Sequence, residues 1–351
     1  MKYHLVSGAC GFVGKNTVKQ LLKRTSDSVI MVDDLSVGTH PSTWLQDITT
    51  KKIKDIEIFG KDERLFYWKM DFRKFLNTLL EDPKWLEREY GLRIDRFGDA
   101  FHFAAIVGGR AKIEGDPMAV ALDLSIDAEF FNWIAKAKPE RVMYPSSSAA
   151  YPINLQTENE AVALKEADIN IDGFVLGMPD LTYGWTKMTG EFLAKIAARN
   201  YGISIVCIRP FSGYGEDQDL TYPVPAIAER AAKKENPFVV WGTGQQGRDF
   251  VHIDDVMDCM FIAMDKIHDG TAINIGSGKL TTFIDLIKIF SKFADYNPTI
   301  KPLVDKPVGV HSRYCDMSFV KEKLGWEPKI SLEEGMKRVY DVAAENVRRK
   351  K

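Results

Sequence analysis

Tyr183, Lys187 and a run of three serines, Ser146–Ser148, are the residues of this chain best suited to proton chemistry. Tyr183 and Lys187 share one face if the stretch between them is a helix, because they are one helical turn apart. A tyrosine can accept the proton of an alcohol when its pKa falls from about 10 towards neutrality, and a neighbouring ammonium lowers that pKa. A serine hydroxyl could hold the same substrate oxygen. The set therefore predicts hydride transfer from an alcohol carbon, with Tyr183 as the base.

Either signal alone has an ordinary structural explanation, since a Tyr-Lys pair at this spacing is more often an exposed helix face and a serine run is more often a loop. The beginning of the chain adds a third signal. Gly8, Gly11 and Gly14 follow an apolar predicted strand, residues 3–7, and precede a predicted helix, residues 15–23. Such a turn lets backbone N–H groups approach the pyrophosphate of a dinucleotide. The three signals together predict a dinucleotide that is used for hydride chemistry.

An acidic residue after the second predicted strand indicates which dinucleotide. Asp33 follows the apolar run Val29–Val32, at the distance from the glycine turn where a carboxylate can accept hydrogen bonds from ribose hydroxyls. Its charge would repel the 2′-phosphate of NADP, so the sequence favours NAD. Two alternatives stay open. Asp33 could be a helix N-cap, and Asp71, after the third strand, could contact the adenine amino group or be a turn residue.

Strand-like runs at residues 3–7, 29–32, 66–69, 100–103, 141–144 and 204–208 alternate with helical patterns. This alternation predicts an α/β fold, a Rossmann-type doubly wound parallel sheet with a smaller α/β C-terminal substrate domain. We expect residues 1–211 to bind NAD, with a return segment near 245–275, and residues 212–351 to form the discontinuous substrate domain. Residues 38–64 are polar and are predicted to be an irregular insertion.

Composition narrows the classes of partner. The chain has 351 residues and a net charge of −2, which provides no basic surface for nucleic acid. Its four cysteines form no CxxC pair, so we expect no metal site. No apolar run reaches membrane-spanning length, and the first strand begins at once, without room for a signal peptide. These features predict a cytoplasmic protein that acts on a small molecule.

Further motifs make the chain resemble the extended short-chain dehydrogenase/reductase family, in the NAD-dependent epimerase/dehydratase branch that modifies nucleotide sugars. The resemblance covers nearly the whole chain. It is carried by the glycine turn Gly8–Gly14, the ribose-binding turn Val32–Ser36, the HxAA-like segment His102–Ala105, the RPFNVYG-like segment Arg209–Gly215, the phosphate-binding segment Gly242–His252, and the C-terminal segments Asn274–Gly278 and Leu324–Pro328.

The resemblance implies roles for particular residues. The catalytic residues are Ser147, Tyr183 and Lys187. The NAD site comprises Gly8, Gly11, Phe12, Val13, Gly14, Asp33, Asp34, Leu35, Ser36, Asp71, Phe72, Phe103, Ala104, Ala105 and Pro210, together with Tyr183 and Lys187. The nucleotide-sugar site comprises Val107, Gly108, Gly109, Ser148, Ser212, Arg248 and Arg313, and the two arginines would neutralise the diphosphate. Val107–Gly109 is similar to a turn of relatives that use GDP-sugars, so a GDP-sugar is favoured, with UDP- and dTDP-sugars as alternatives.

The resemblance also bears on the reaction. The two positions after Ser147 carry an acid/base pair in 4,6-dehydratases, and the second carries a cysteine in 3,5-epimerases, but here they are Ser148 and Ala149. The chain therefore lacks a second acid or base and is expected to stop at hydride transfer. The pattern SSSxxY, residues 146–151, resembles that of 4-epimerases most, so a 4-epimerase is favoured. A 4-dehydrogenase or 4-reductase is the alternative, and a 4,6-dehydratase using a residue such as Glu158 is less favoured. A non-catalytic NAD-binding regulator is the alternative of another class, and the presence of Tyr183 and Lys187 argues against it.

Two further expectations come from the resemblance. Ser212 stands where the family has an asparagine near the sugar, which leaves the choice of sugar open. Relatives commonly pair through the helix that carries the Tyr-Lys motif, which predicts a homodimer or a higher homo-oligomer.

Overall fold

The computed structural model describes residues 2–45, 50–106, 114–159, 161–173, 176–306 and 308–350. In these ranges the strands are β1 (Tyr3–Ser7), β2 (Ser28–Asp33), β3 (Thr50–Ile53), β4 (Ile56–Phe59), β5 (Leu65–Lys69), β6 (Asp99–His102), β7 (Arg141–Pro145), β8 (Ala163–Leu164), β9 (Ile205–Pro210), β10 (Ser212–Tyr214), β11 (Phe238–Trp241), β12 (Gly247–Arg248), β13 (Phe250–His252), β14 (Asp269–Ile275), β15 (Thr281–Thr282), β16 (Ile300–Leu303) and β17 (Ser312–Cys315). The helices are α1 (Phe12–Arg24), α2 (Phe72–Glu81), α3 (Trp85–Tyr90), α4 (Pro117–Ala121), α5 (Asp123–Ala137), α6 (Leu181–Tyr201), α7 (Pro223–Ala232), α8 (Ile253–Lys266), α9 (Phe283–Phe293), α10 (Ser318–Leu324) and α11 (Leu332–Arg349).

The large sheet has the strand order β14-β9-β7-β6-β1-β2-β5-β4-β3. All neighbouring pairs from β14 to β5 are parallel. The order of the strands reverses between β1 and β6, which are hydrogen-bonded to each other. In sheets of this kind ligands bind outside the carboxyl ends of the strands at that reversal. The predicted doubly wound parallel sheet is confirmed.

The sheet separates two apolar cores because side chains alternate along each strand. Val6 and Met31 belong to one buried cluster, together with residues of α1 and α8. Leu5 and Ile30, one position earlier on the same strands, belong to the other, together with residues of α2, α5 and α6. Helix α6, which carries Tyr183 and Lys187, therefore packs on the second face of the sheet.

The predicted irregular insertion at residues 38–64 is wrong in part. β3 and β4 form an antiparallel hairpin there, and β4 pairs antiparallel with β5, which extends the large sheet. Ile56 and Ile58 of β4 point into the second core, two residues apart, as the period of a strand requires. The sequence obscures this pattern because β3 is polar and largely exposed.

A smaller part of the molecule is built from short strands and from helices α7, α9 and α11. Its sheets are the parallel pairs β10-β13 and β11-β16 and the mixed sheet β15-β12-β17-β8. A third apolar core, with Tyr214, Phe238 and Phe290 among its members, lies between them. β14 lies in the predicted return segment and pairs with β9 of the large sheet. The division at residue 211 stays a prediction.

The structure also describes the cysteines, the possible metal ligands and the apolar character of the helices. Cys10, Cys207, Cys259 and Cys315 are buried and free of disulfides. Within the described ranges no group of three or more His, Cys, Asp or Glu side chains is placed to hold a metal ion, and no helix is both long and apolar enough to cross a bilayer.

Candidate active site

A cavity of about 700 Å³ opens at the carboxyl ends of the parallel strands, where their order reverses. Its walls come from the loops after β1, β2, β5, β6, β7 and β9. Most of the predicted cofactor residues line it: Gly8, Gly11, Phe12, Val13, Gly14, Asp33, Asp34, Ser36, Asp71, Phe72, Phe103, Ala104, Ala105 and Pro210. The predicted catalytic residues Ser147, Tyr183 and Lys187 line the same cavity. One site therefore holds both sets.

Two of the three glycines of the turn, Gly8 and Gly14, have no room for a side chain. Gly8 has a positive φ of +59°, and a Cβ there would lie 2.6 Å from the Phe103 carbonyl group. A Cβ on Gly14 would lie 2.1 Å from the carbonyl oxygen of Gly8. Gly11 begins α1 as its N-cap, without a capping side chain. The turn thus presents bare backbone and the positive end of α1 to the cavity, which suits a pyrophosphate.

Asp33 connects the end of β2 to this turn. Its carboxylate accepts hydrogen bonds from the backbone N–H groups of Cys10 at 2.9 Å and Leu35 at 2.8 Å. Burial raises the pKa of Asp33, and the two hydrogen bonds oppose that effect. Leu35, a predicted cofactor residue, adopts a positive φ of 62° and packs against the first core. Leu35 is not among the described residues that line the cavity. Its backbone N–H donates a hydrogen bond to the Asp33 carboxylate.

Asp71 lies in the cavity wall and also caps α2. Its carboxylate accepts from the backbone N–H of Arg73 and forms an ion pair with the Arg73 guanidinium at 2.8 Å. Asp71 therefore has the structural role of a helix N-cap. A contact with adenine stays a prediction.

Ser147, Tyr183 and Lys187 meet because the first turn of α6 packs tightly on the turn after β7. A Cβ on Gly184 would lie 2.3 Å from the carbonyl oxygen of Ala149, so a larger residue would separate the two segments. The Ser147 hydroxyl is one of the groups that act on the pKa of Tyr183. The Lys187 ammonium lies 5.6 Å from the centre of the Tyr183 ring.

The charges around Tyr183 act in opposite directions. Burial raises the pKa of Tyr183, the Lys187 ammonium lowers it, Asp123 raises it, and the hydrogen bond from Ser147 lowers it; the net direction is upward. Because Lys187 and Ser147 favour the phenolate, they are the groups that prepare Tyr183 to accept a proton.

The predicted phosphate-binding arginines lie side by side. Arg248 of β12 and Arg313 of β17 are direct partners in the parallel register. Arg248 donates to the carbonyl oxygen of Val308 at 3.2 Å, and Arg313 forms an ion pair with Asp180 at 2.8 Å. Neither arginine is among the described residues that line the cavity. Their role at a diphosphate stays a prediction.

The structure describes two of the remaining predicted substrate residues, and the other three lie outside the described ranges. Ser148 is buried in the short turn Ser148–Ala150. Ser212 lies on β10 and pairs with Phe250 of β13. Val107, Gly108 and Gly109 lie outside the described residues, so the structure does not describe the predicted nucleotide-selecting turn.

The sequence did not indicate one wall of the cavity. The segment from Asp217 to Tyr222, which follows β10, contributes five lining residues: Asp217, Gln218, Asp219, Leu220 and Tyr222. Burial raises the pKa of Tyr222 to about 12, and the charge of Tyr183 adds to this effect. Lys15, directly after the third glycine of the turn, binds Asp217, but no motif links these positions in the sequence.

The comparisons with known proteins agree with this geometry. The model of the NAD dependent epimerase/dehydratase family matches residues 4–276. The chain belongs to this family. It is therefore an enzyme of the extended short-chain dehydrogenase/reductase type, its cofactor is NAD, and its substrates are nucleotide sugars.

Individual relatives are similar over almost the whole chain. A UDP-glucuronate 4-epimerase from Thermodesulfobacterium geofontis is 27% identical over 354 residues, which cover 99% of this chain and 98% of that protein. A UDP-glucose 4-epimerase from Thermotoga maritima, solved with UDP-glucose, is 26% identical with a TM-score of 0.76, covering 98% of this chain and 99% of that one. A GDP-mannose 3,5-epimerase from Arabidopsis thaliana is 27% identical over 260 residues, 72% of this chain and 66% of that protein.

We expect Asp33→Asn to reduce the preference for NAD over NADP. The amide removes the charge that repels a 2′-phosphate, and it can accept only one of the two backbone hydrogen bonds that Asp33 now accepts. Loss of one charge-assisted contact corresponds to roughly tenfold in the ratio of dissociation constants. Titration calorimetry with each cofactor measures this ratio. Asp285→Asn is the control, because this carboxylate is exposed on α9, is not among the cavity residues and should leave the ratio unchanged.

Proposed function

We propose that this enzyme is a nucleotide-sugar 4-epimerase. The observation that carries the proposal is the placement of Ser147, Tyr183 and Lys187 at one end of the cavity that the glycine turn opens. These groups suffice to oxidise a sugar hydroxyl and to reduce the resulting ketone. Bound NAD supplies the hydride acceptor and a positive nicotinamide ring.

The roles of the three side chains follow from their contacts. Tyr183 takes the proton of the substrate hydroxyl as the carbon beneath it loses a hydride. Lys187 stabilises the phenolate by charge, with its ammonium 5.6 Å from the ring centre. Ser147, at the start of the short turn after β7, donates a hydrogen bond to the substrate oxygen in this proposal. The same groups then act in reverse and return the proton to the sugar oxygen, which completes an epimerisation when the sugar has presented its other face.

The positions that hold a second acid or base in related reactions are occupied by small side chains. Ser148 and Ala149 are buried in the turn, and the carbonyl oxygen of Ala149 accepts the N–H of Asp180. Glu158 is exposed and lies outside the cavity wall as described. This supports a reaction that ends with hydride return and weighs against loss of water.

Several contacts join α1 to Asp217, and we call them the clasp. The clasp supports an epimerase over a dehydrogenase, since only the epimerase must keep its reduced cofactor. The Lys15 ammonium donates to the carbonyl oxygen of Asp217 at 2.8 Å and pairs with its carboxylate at 3.2 Å. Lys19 and Asn16, also on α1, bind the same carboxylate at 3.1 and 3.3 Å. The segment that follows Asp217, which lines the cavity, is thereby held against α1.

The nucleotide is a separate question. The sequence favours a GDP-sugar through residues 107–109, whereas the relatives at 26 and 27% identity that match nearly the full chain are named for UDP-sugars. We therefore propose a substrate panel that includes GDP-, UDP- and dTDP-sugars.

Incubation with this panel should yield a product of unchanged mass and inverted configuration at C4. Mass spectrometry and NMR of the sugar measure both properties. Loss of two hydrogens would instead identify a 4-dehydrogenase, and loss of water would contradict the reading of Ser148 and Ala149. An absence of any product or NADH absorbance would favour a non-catalytic NAD binder.

Tyr183→Phe serves as the negative variant of the same experiment. It should lower turnover by about 10² to 10⁴-fold, the usual contribution of a general acid–base, while NAD binding persists. Tyr201→Phe is its matched control, on the same helix and half exposed, and should retain full activity. Full activity of Tyr183→Phe would refute the assignment of the base.

Asp217→Ala should speed the release of NADH several-fold. The substitution removes two partly exposed ion pairs, each of which contributes about 0.2–1 kcal/mol, and one hydrogen bond. Stopped-flow fluorescence of prebound NADH, displaced by excess NAD, measures the rate. Asp285→Ala, at an exposed position of α9, is the control. An unchanged rate would show that the clasp does not retain the cofactor.

We also propose that two copies of the chain pair through α6. Leu181, Trp185 and Phe192 lie on one face of this helix and are all exposed by more than two-fifths of their surface. Trp185→Glu with Phe192→Glu should therefore convert a dimer to a monomer in sedimentation velocity. Leu280→Glu, another exposed apolar position, should not. A wild-type chain that sediments as a monomer would contradict the pairing.

A further inference from the structure

A buried polar cluster lies behind Lys187. It consists of Ser7 at the end of β1, His102 at the end of β6, Asp127 on α5 and Tyr144 on β7, all less than 3% exposed. His102 Nε2 lies 3.0 Å from Asp127 Oδ1, and the Tyr144 hydroxyl donates to Asp127 Oδ2 at 2.6 Å. Both carboxylate oxygens of Asp127 thus have a partner.

The hydrogen bonds fix the protonation of His102. The Ser7 hydroxyl oxygen accepts from the backbone N–H groups of Phe103 at 3.0 Å and Ala104 at 3.1 Å, which leaves its own proton to donate to His102 Nδ1 at 3.0 Å. The other ring nitrogen, Nε2, then carries the hydrogen and donates to Asp127. Burial lowers the pKa of His102, so the ring is neutral.

The imidazole cannot turn away from this arrangement. It stacks on Phe130 with ring centres 4.3 Å apart and on Phe72 at 5.5 Å. The charge of Asp127 is therefore held in place by a donor whose orientation the packing determines.

Lys187 is the cation next to this charge. It is 3% exposed, and its ammonium lies 5.5 Å from the centre of the Tyr144 ring, whose hydroxyl binds Asp127. Burial lowers the pKa of Lys187, but the charges of Asp127, Tyr183 and Asp123 raise it, with Asp127 the strongest of the three, and the net direction is upward. Burial raises the pKa of Asp127, yet Lys187 and the two hydrogen bonds bring it below its ordinary value.

We propose that Asp127 is the counter-ion of Lys187 and a positioning residue for the hydride step. Its carboxylate, oriented by His102 and Tyr144, keeps the buried lysine charged so that Lys187 can stabilise the Tyr183 phenolate. This deepens the proposed function and rests on it for its catalytic meaning. The pairing itself can be tested without any substrate.

A double-mutant cycle on the full chain tests the pairing. Asp127→Asn should lower the melting temperature at pH 7, because it leaves a buried ammonium without its main counter-charge. Lys187→Met should lower the melting temperature of the wild type but raise that of Asp127→Asn, since it removes the uncompensated charge. An equal effect of Lys187→Met in both backgrounds would overturn the proposal. If Asp127→Asn does not fold alone, recovery of folded protein in the double variant supports the pairing and its failure refutes it.

The pH dependence of the melting temperature gives a second test of the pairing, and its direction can be predicted. In the wild type the pKa of Lys187 is raised, so its charge stabilises the fold at pH values below the ordinary lysine pKa of about 10.4. This stabilisation is lost as the pH rises above the pKa that Lys187 has in the folded protein. In Asp127→Asn the folded pKa of Lys187 drops below 10.4, so the gap in melting temperature between the two proteins should narrow as the pH rises from 7 to 10. A purely structural Asp127 would leave a gap independent of pH. The same cycle with Asp123→Asn, the other carboxylate facing Lys187, should show weaker coupling.

Catalysis provides the reading that ties the pair to the reaction. In Asp127→Asn the alkaline limb of kcat/KM, where Lys187 loses its proton, should move to lower pH by about one unit. If the alkaline limb of kcat/KM does not move while the melting-temperature cycle shows coupling, Asp127 contributes to stability but does not act in catalysis. If no substrate of the panel turns over, the proposed function fails, while the outcome of the cycle still stands.

Discussion

The burial of one ammonium beside one phenol is the interaction on which this site depends. A lysine that is 3% exposed would destabilise the fold unless negative or polar groups compensated its charge. Around Lys187 these groups come from α5, from β7 and from its own helix, α6. The elements that form the second core therefore also hold the charge that the chemistry needs, so stability and function share the same contacts.

The close approach of α6 to the turn after β7 determines the geometry at the reactive end. Ser146, next to Ser147, donates its hydroxyl to Glu191 of α6, and Glu191 forms a buried bidentate ion pair with Arg209 at 2.7 Å. Arg209 also donates to the Tyr151 hydroxyl at 2.9 Å. This network joins the serine turn, the catalytic helix and the strand β9. It explains why the serines hold a fixed position although they lie in a loop.

The wall of the cavity is not built by the loops of the large sheet alone, because residues of the segment after β10 also line it. The clasp between α1 and Asp217 adds a wall drawn from the segment after β10. A site of this form can enclose a sugar next to the cofactor and exclude water during transfer of a hydride.

The sequence by itself determined the glycine turn, the strand and acid that follow it, and the Tyr-Lys pair, because each depends on local spacing. A turn without side chains, a carboxylate at the end of a strand and two residues one helical turn apart can be recognised without knowledge of distant contacts. The same locality predicted the alternating strands and helices and hence the parallel sheet. It failed at β3 and β4, whose polar residues hide a period that appears only when β5 pairs with β4.

Only the tertiary structure decided which distant residues meet. Lys15 and Asp217 are 202 residues apart in the chain, and His102 and Asp127 are 25 residues apart. No spacing rule connects either pair. Asp33 and Asp71 show the same limit at single positions, because the sequence left a ligand-binding role and a structural role open for each, and the fold shows a backbone partner for each. Contacts of this kind depend on how whole helices and strands pack, and the free energy that selects the packing is spread over the apolar cores rather than contained in any short motif.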